Sequence, residues 1–179
     1  MQRPPLRQAK SIDNVFNSAY WHLSQQDFTI SEIRSKLERK TENIEWIEQV
    51  LAHLIEHSYL KSDLEFAIRY CESAFSNEIG KGAIQRKLKI RGVSSSDIDT
   101  AIEQVVEQQN INFDELAGSR LLSRFVTFDG ISKEKLYAQM TSRGFTSPQI
   151  DQALSQHPAQ DSLRSKMAIK AEKAELATE

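Results

Sequence analysis

The sequence predicts an all-α fold, a tandem array of three three-helix repeats. Three observations predict it. A pair of apolar residues four apart recurs along the chain: Ile33 and Leu37, then Ile84 and Leu88, then Leu136 and Met140. Lys36, Lys87 and Gln139 recur with them at intervals of 51 and 52 residues, and a near-constant period of this length marks a repeat architecture. The apolar spacing is that of helices, and the 179 residues hold only six Gly and four Pro to interrupt them.

Size and composition bound the rest. A chain of this length buries about 70% of its unfolded surface, so no disulfide or metal staple is required. Hydrophobic residues make up 39% and charged residues 27%, a globular balance. The formal net charge of −2 excludes bulk electrostatics as the driver of tight nucleic-acid binding. The one cysteine, Cys71, excludes an internal disulfide and any multi-cysteine metal site. No stretch approaches the ~18 apolar residues of a membrane span, and the basic N-terminus lacks an apolar signal core. The expectation is a soluble, monomeric protein of the cytoplasm.

In chain order, residues 1–10 carry Arg3, Pro4, Pro5, Arg7 and Lys10 without an apolar face, which predicts a flexible arm. Repeat one spans 11–61. Its first helix runs from about Ile12 to Gln25, with Phe16, Ala19, Tyr20 and Leu23 as one stripe. Trp21 lies off that stripe. It either packs under the arm or the next repeat, or stands exposed as a partner anchor. Thr29 or Ser31 caps a second helix bearing Arg34, Lys36, Arg39 and Lys40. Glu42-Asn43 then replaces the glycine turn of the other repeats. In the third helix Ile47, Leu51 and Leu54 face inward, and His53 and His57 read as surface residues, since no further zinc ligands stand nearby.

Repeat two spans 62–108. Phe66, Ala67, Tyr70, Cys71, Ala74 and Phe75 give a strongly amphipathic first helix, in which Cys71 is a small core residue. From Lys81 to Arg91 there are five cations and no acid; from Asp97 to Glu107 there are four acids and no cation. Gly92 supplies the positive φ of the helix end, Ser94, Ser95 and Ser96 offer caps, and Ile98, Ile102 and Val105 line the third helix. Repeat three, 109–156, opens with Leu116, Ala117, Leu121 and Phe125. It turns at Phe128-Asp129-Gly130, is capped by Ser132, and resumes after Arg143-Gly144-Phe145 with Pro148 near a helix start and Ile150 and Leu154 inward. Beyond about His157 the pattern lapses into a charged tail, 157–179, carrying no chemistry.

No catalytic motif, metal set or cofactor loop is present. Gly80-Lys81-Gly82 follows a helix rather than a strand and is no phosphate cradle. A helix-turn-helix reading would put Asp97, Asp99 and Glu103 against the phosphate walls of a DNA groove, so base reading by these helices is disfavoured. The cations sit one helix earlier in each repeat. The candidate partner-binding residues are therefore Arg34, Arg39 and Lys40; Arg69, Lys81, Arg86, Lys89 and Arg91; and Lys133, Lys135 and Arg143. A solvated face paired with the neighbouring acidic helix is the competing reading.

Five stretches carry a family resemblance. LSQQDFTISEIRSKL, YLKSDLEFAIRYCESAF, GKGAIQRKLKIRGV, NINFDELA and LYAQMTSRGF, in this order and spacing, resemble the RecX family of bacterial recombination regulators. The match runs from about Ser11 to Leu154. The resemblance implies an elongated, curved array of three-helix repeats whose partner is the RecA filament on single-stranded DNA. The recurrence of the second-helix cations in all three repeats points to acidic RecA surface or nearby single-stranded DNA phosphates in the filament as what they meet. The resemblance also implies inhibition of the filament's strand exchange, ATP hydrolysis and coprotease functions, and no enzyme activity. The other classes open are a helical-repeat adaptor for a different protein and a nucleic-acid-binding module acting alone.

Overall fold

A computed structural model describes residues 8–125 and 131–159. Among these residues every regular element is a helix: α1 (Ile12–Leu23), α2 (Ile30–Glu38), α3 (Ile44–Glu56), α4 (Asp63–Ser76), α5 (Lys81–Ile90), α6 (Ser95–Gln109), α7 (Phe113–Arg124), α8 (Lys133–Ser142) and α9 (Ser147–Gln156). They form three three-helix repeats, α1–α3, α4–α6 and α7–α9. The expected arm residues 1–7, the turn at Phe128-Asp129-Gly130 and the tail beyond Ala159 lie outside the described residues.

The recurrent apolar residues are the core. Ile33, Leu37, Ile84, Leu88, Leu136 and Met140 are each no more than 1% exposed, and Ile47, Leu51, Leu54, Ile98, Ile102, Val105, Ile150 and Leu154 are buried with them. A fully buried aliphatic side chain contributes about 1.5–3 kcal/mol, so each of these positions is a substantial part of its repeat's stability. Cys71 is buried. In α1 the buried stripe is Val15 and Ala19, one residue round from the expected centre. Phe16, Tyr20 and Leu23 are half-buried against it.

Local chemistry sets the helix ends. Thr29 and Glu32 form a reciprocal capping box on α2, and Asn43, Asn112 and Ser132 cap α3, α7 and α8. Ser94 caps α6 by accepting from the Asp97 N–H at 3.0 Å. Gly92 and Gly144 take φ of +84° and +94° at the ends of α5 and α8. Thr41 stands at the equivalent position in repeat one, buried and without positive φ, and Asn43 caps the helix that follows.

Two compact units divide the chain: residues up to Cys71 with Gln85–Gln104, and Glu72–Ile84 with the residues from Val105 onward. Each contains one joint between successive repeats, and the two joints use equivalent positions. In the first unit, Thr29 at the start of α2 donates its hydroxyl to the Arg91 carbonyl at the end of α5, 2.7 Å away. In the second, Gly80 N–H donates to the Arg143 carbonyl at 2.8 Å and Gly82 N–H to the Gly144 carbonyl at 3.1 Å. Each joint sets the N-terminus of one second helix against the C-terminus of the next, head to tail, an arrangement the helix dipoles favour. Backbones touch at the second joint: a Cβ on Gly80 would lie 2.7 Å from the Gly144 carbonyl, and one on Gly144 would lie 2.2 Å from Ala83 N. Gly80 of Gly80-Lys81-Gly82 thus serves packing.

Candidate partner-binding surface

The second helices carry cations for a local reason as well as any functional one. Lys36, Lys87 and Lys89 lie in last turns, and Arg39 and Arg143 are C-cap residues. The partial negative charge at a helix C-terminus favours them there.

Arg91 is committed to the protein itself. Its Nε donates to Glu32 Oε1 at 2.8 Å, one terminal nitrogen donates to Glu32 Oε2 at 2.6 Å and to the Asp27 carbonyl at 3.0 Å, and its guanidinium lies 4.4 Å from the Phe66 ring centroid. Burial alone would raise the Glu32 carboxyl. The hydrogen bonds from Arg91 and the Thr29 N–H, with the Arg91 charge, outweigh it and hold the group below its usual range. One arginine therefore braces the capping box, the joint and the face of α4.

Arg34 forms a two-pronged pair with Glu48 of α3 on the surface. Arg69 reaches Asp27 at 2.5 Å, also in solvent. Lys133 lies half-buried with its Nζ 5.3 Å from the Tyr137 ring centroid. Lys81, Arg86, Lys89 and Lys135 are exposed. Arg86 and Lys89, three apart on α5, share a face with Ile90, which is 81% exposed. Arg143 lines a cleft of about 270 Å³ with Arg120 and Arg124.

Arg39 and Lys40 are brought together with Trp21, whose anchor reading the sequence left open, and with residues that the sequence did not mark as partner-binding. A groove of about 540 Å³ opens between α1 and α2, lined by Asn14, Asn17, Ser18, Trp21, His22, Lys36, Arg39 and Lys40. Trp21 is 61% exposed there rather than packed away. His22 titrates below its usual value, first because it is partly buried and then because Lys36, Lys40 and Arg39 repel its proton. The one signal the sequence holds for it is Trp21, off the apolar stripe of the first helix and followed by a basic second helix.

The sequence pattern puts His157 at the start of the tail, yet the residue is 2% exposed. Its Nδ1 accepts from the Ala159 N–H at 3.0 Å, so Nε2 carries the proton donated to the Phe125 carbonyl at 2.8 Å. It ties the end of α9 to the end of α7.

No helix among the described residues is long and apolar enough to cross a membrane. A family model described as the second three-helix domain of RecX matches residues 62–102, the stretch that holds α4 and α5. The chain is 31% identical over 147 residues to the regulatory protein RecX of Photobacterium profundum, covering 82% of this chain and 53% of that protein, so it spans about half that relative's length. It is 27% identical over 151 residues to the regulatory protein RecX of Haemophilus influenzae, covering 82% of this chain and 96% of that one. Both relatives are named as regulators, not enzymes. The crystal structure of RecX from Lactobacillus salivarius superposes with a TM-score of 0.62 at 20% identity, over 80% of this chain and 94% of that one. A second crystal structure of a regulatory protein RecX gives 0.56 at 24% identity, over 78% and 71%. These two speak for the fold.

Proposed function

This chain belongs to the RecX family, and from that premise we propose that it is a cytoplasmic regulator that binds the RecA filament on single-stranded DNA and restrains its ATP hydrolysis, strand exchange and coprotease activities. It is read as a binding protein without a catalytic centre. The observation that carries the reading is the central segment. Residues 62–102 match the family's second three-helix domain and present α5, with Lys81, Arg86, Lys89 and Ile90 exposed. A repetitive filament rewards several modest contacts made at once, since each bound repeat raises the effective concentration of the next.

The test is ATP turnover by RecA on single-stranded DNA, with and without this protein. Inhibition that weakens when Lys81, Arg86 and Lys89 are changed together to Glu, with helical circular dichroism unchanged, supports both the partner and the face. Arg91 stays unaltered in that experiment, because reversing it would break the Glu32 clamp rather than report on a partner. Turnover unaffected by the unaltered protein at saturating concentration would remove RecA as the partner.

A further inference from the structure

The two joints differ in what answers their arginine. At the first, Arg91 meets the Glu32 carboxylate, the Asp27 carbonyl and the face of Phe66. Arg143 holds the same place at the second, where its carbonyl accepts from Gly80 N–H as that of Arg91 accepts from the Thr29 hydroxyl. The repeat interval of 51 residues puts Ala83 where the first joint has Glu32, and Ala117 where it has Phe66. A methyl group can neither accept from a guanidinium fork nor offer it a ring. Among the described residues Arg143 makes no salt bridge.

The Arg143 backbone is held all the same, its N–H donating to the Gln139 carbonyl at 3.2 Å and its carbonyl fixed by Gly80. The side chain lines the cleft of about 270 Å³ with Arg120 and Arg124 of α7, and no carboxylate appears among the lining residues. Arg124 has no salt bridge among the described residues either; its guanidinium lies 5.6 Å from the Phe125 ring centroid. Arg120 reaches Glu78 at 3.6 Å, a carboxylate that also accepts from the Ser119 and Ser123 hydroxyls. Three full positive charges share the cleft. They exceed the roughly half negative charge that each of the α7 and α8 C-termini brings.

We propose that this cleft binds a compact polyphosphate: the di- or triphosphate chain of a free nucleotide, or its inorganic counterpart. All three cations are Arg, whose forks take phosphate oxygens two at a time, and Gln139 adds an amide to the same wall. A nucleic-acid strand fits less well. Single-strand sites add aromatic platforms to their phosphate contacts, and the one ring here, Phe125, is 4% exposed. A carboxylate brings one charge, whereas a polyphosphate concentrates several in the volume that the three guanidiniums share. That volume is below the roughly 300–1,000 Å³ of pockets that enclose a drug-sized ligand, so the phosphate chain enters and a nucleoside stays outside. The site needs no recombinase and stands whether or not the chain regulates one.

The experiment is calorimetric titration of the full chain with inorganic tripolyphosphate at low salt. Saturable binding is expected. Arg124→Ala and Arg143→Ala each remove a charge-assisted fork and should weaken it about 10- to 100-fold. Both side chains are exposed, so both variants should keep the thermal midpoint of the parent. Ala83→Glu restores the carboxylate of the first joint and should weaken binding too, while Ala83→Gln, of the same shape without the charge, should not. Displacement of tripolyphosphate by ATP assigns the cleft to nucleotides, and its absence assigns it to the inorganic chain; both support the proposal. No saturable heat, arginine variants that bind as the parent does, or Ala83→Glu binding as tightly as Ala83→Gln would overturn it. So would sulfate binding as tightly, which leaves an adventitious ion only. Displacement by oligo-dT or polyglutamate at equal charge would overturn it as well, assigning the cleft to a strand or an acidic protein. RecA inhibition is measured separately on the same variants. Loss of tripolyphosphate binding with inhibition intact separates this site from the regulatory reading.

Discussion

Tyr137 on α8 donates its hydroxyl to the carboxylate of Asp151 on α9, 14 residues further on. Gln85 on α5 does the same to Asp99 on α6, and Arg34 on α2 to Glu48 on α3, each again across 14 residues. These are equivalent positions in the three repeats. The second helix offers a donor of changing type, and the third answers with an acid. The alternation of basic and acidic helices is therefore partly an internal device, one cross-helix hydrogen bond per repeat at the solvent edge of the core.

Tyr137 should titrate late. Burial comes first, then the hydrogen bond to Asp151 and its negative charge, and together they push the phenol up to about 12 from 10.0. The folded state favours the protonated phenol. Its contribution is complete below pH 10 and disappears as the pH rises through about 12. An ultraviolet difference titration should show one tyrosine ionising near that upper value, and Asp151→Asn should return it toward the ordinary range. A Tyr137 titration identical in parent and Asp151→Asn proteins would break the assignment.

Two glycines should respond in opposite directions. Gly118, within α7, has open space where a methyl group would sit, with nothing within 4 Å. Gly118→Ala should therefore gain about 0.5–1 kcal/mol from the helix's lower backbone entropy cost. Gly144 combines a φ of +94° with a Cβ position only 2.2 Å from Ala83 N, so Gly144→Ala should lose about 2 kcal/mol or more. Urea unfolding of the two variants against the parent reads both signs.

What the sequence made legible was what periodicity encodes. Ile84 and Leu88 are buried because a helix places residues four apart on one face, and that follows from spacing alone. Thr29, Ser94 and Ser132 cap helices because capping is local. The joint was not legible. Thr29 and Arg91 are 62 residues apart, and nothing in the local pattern of either says that they meet. For the same reason Arg91 reads from sequence as one surface cation among five, while three dimensions give it Glu32, the Asp27 carbonyl and Phe66. The groove escaped because its walls come from different helices, and Trp21 marks it only once its exposure is known.

The clamp between Arg91 and Glu32 yields the sharpest test of the joint. The pair is mostly shielded, with side-chain exposures of 18% and 28%. Arg91→Ala leaves a capping carboxylate without its partner and removes the stacking on Phe66, which should cost about 2–3 kcal/mol. Arg91→Lys keeps the charge but lacks the fork, so it should recover only a minor part of that loss. Glu32→Gln keeps an oxygen able to complete the capping box but removes the charge and one of the two acceptors that the Arg91 fork uses. Because the folded protein holds the Glu32 carboxyl below 4.5, its share of stability is present above that pH and is lost as the pH falls through the lowered value. The urea midpoint of the parent should therefore exceed that of the Glu32→Gln protein at neutral pH, and the gap should close on acidification below 4.5. A gap that stays constant with pH would mean that the charge of Glu32 does not hold the joint, and that the Thr29 hydroxyl and helix dipoles carry it instead.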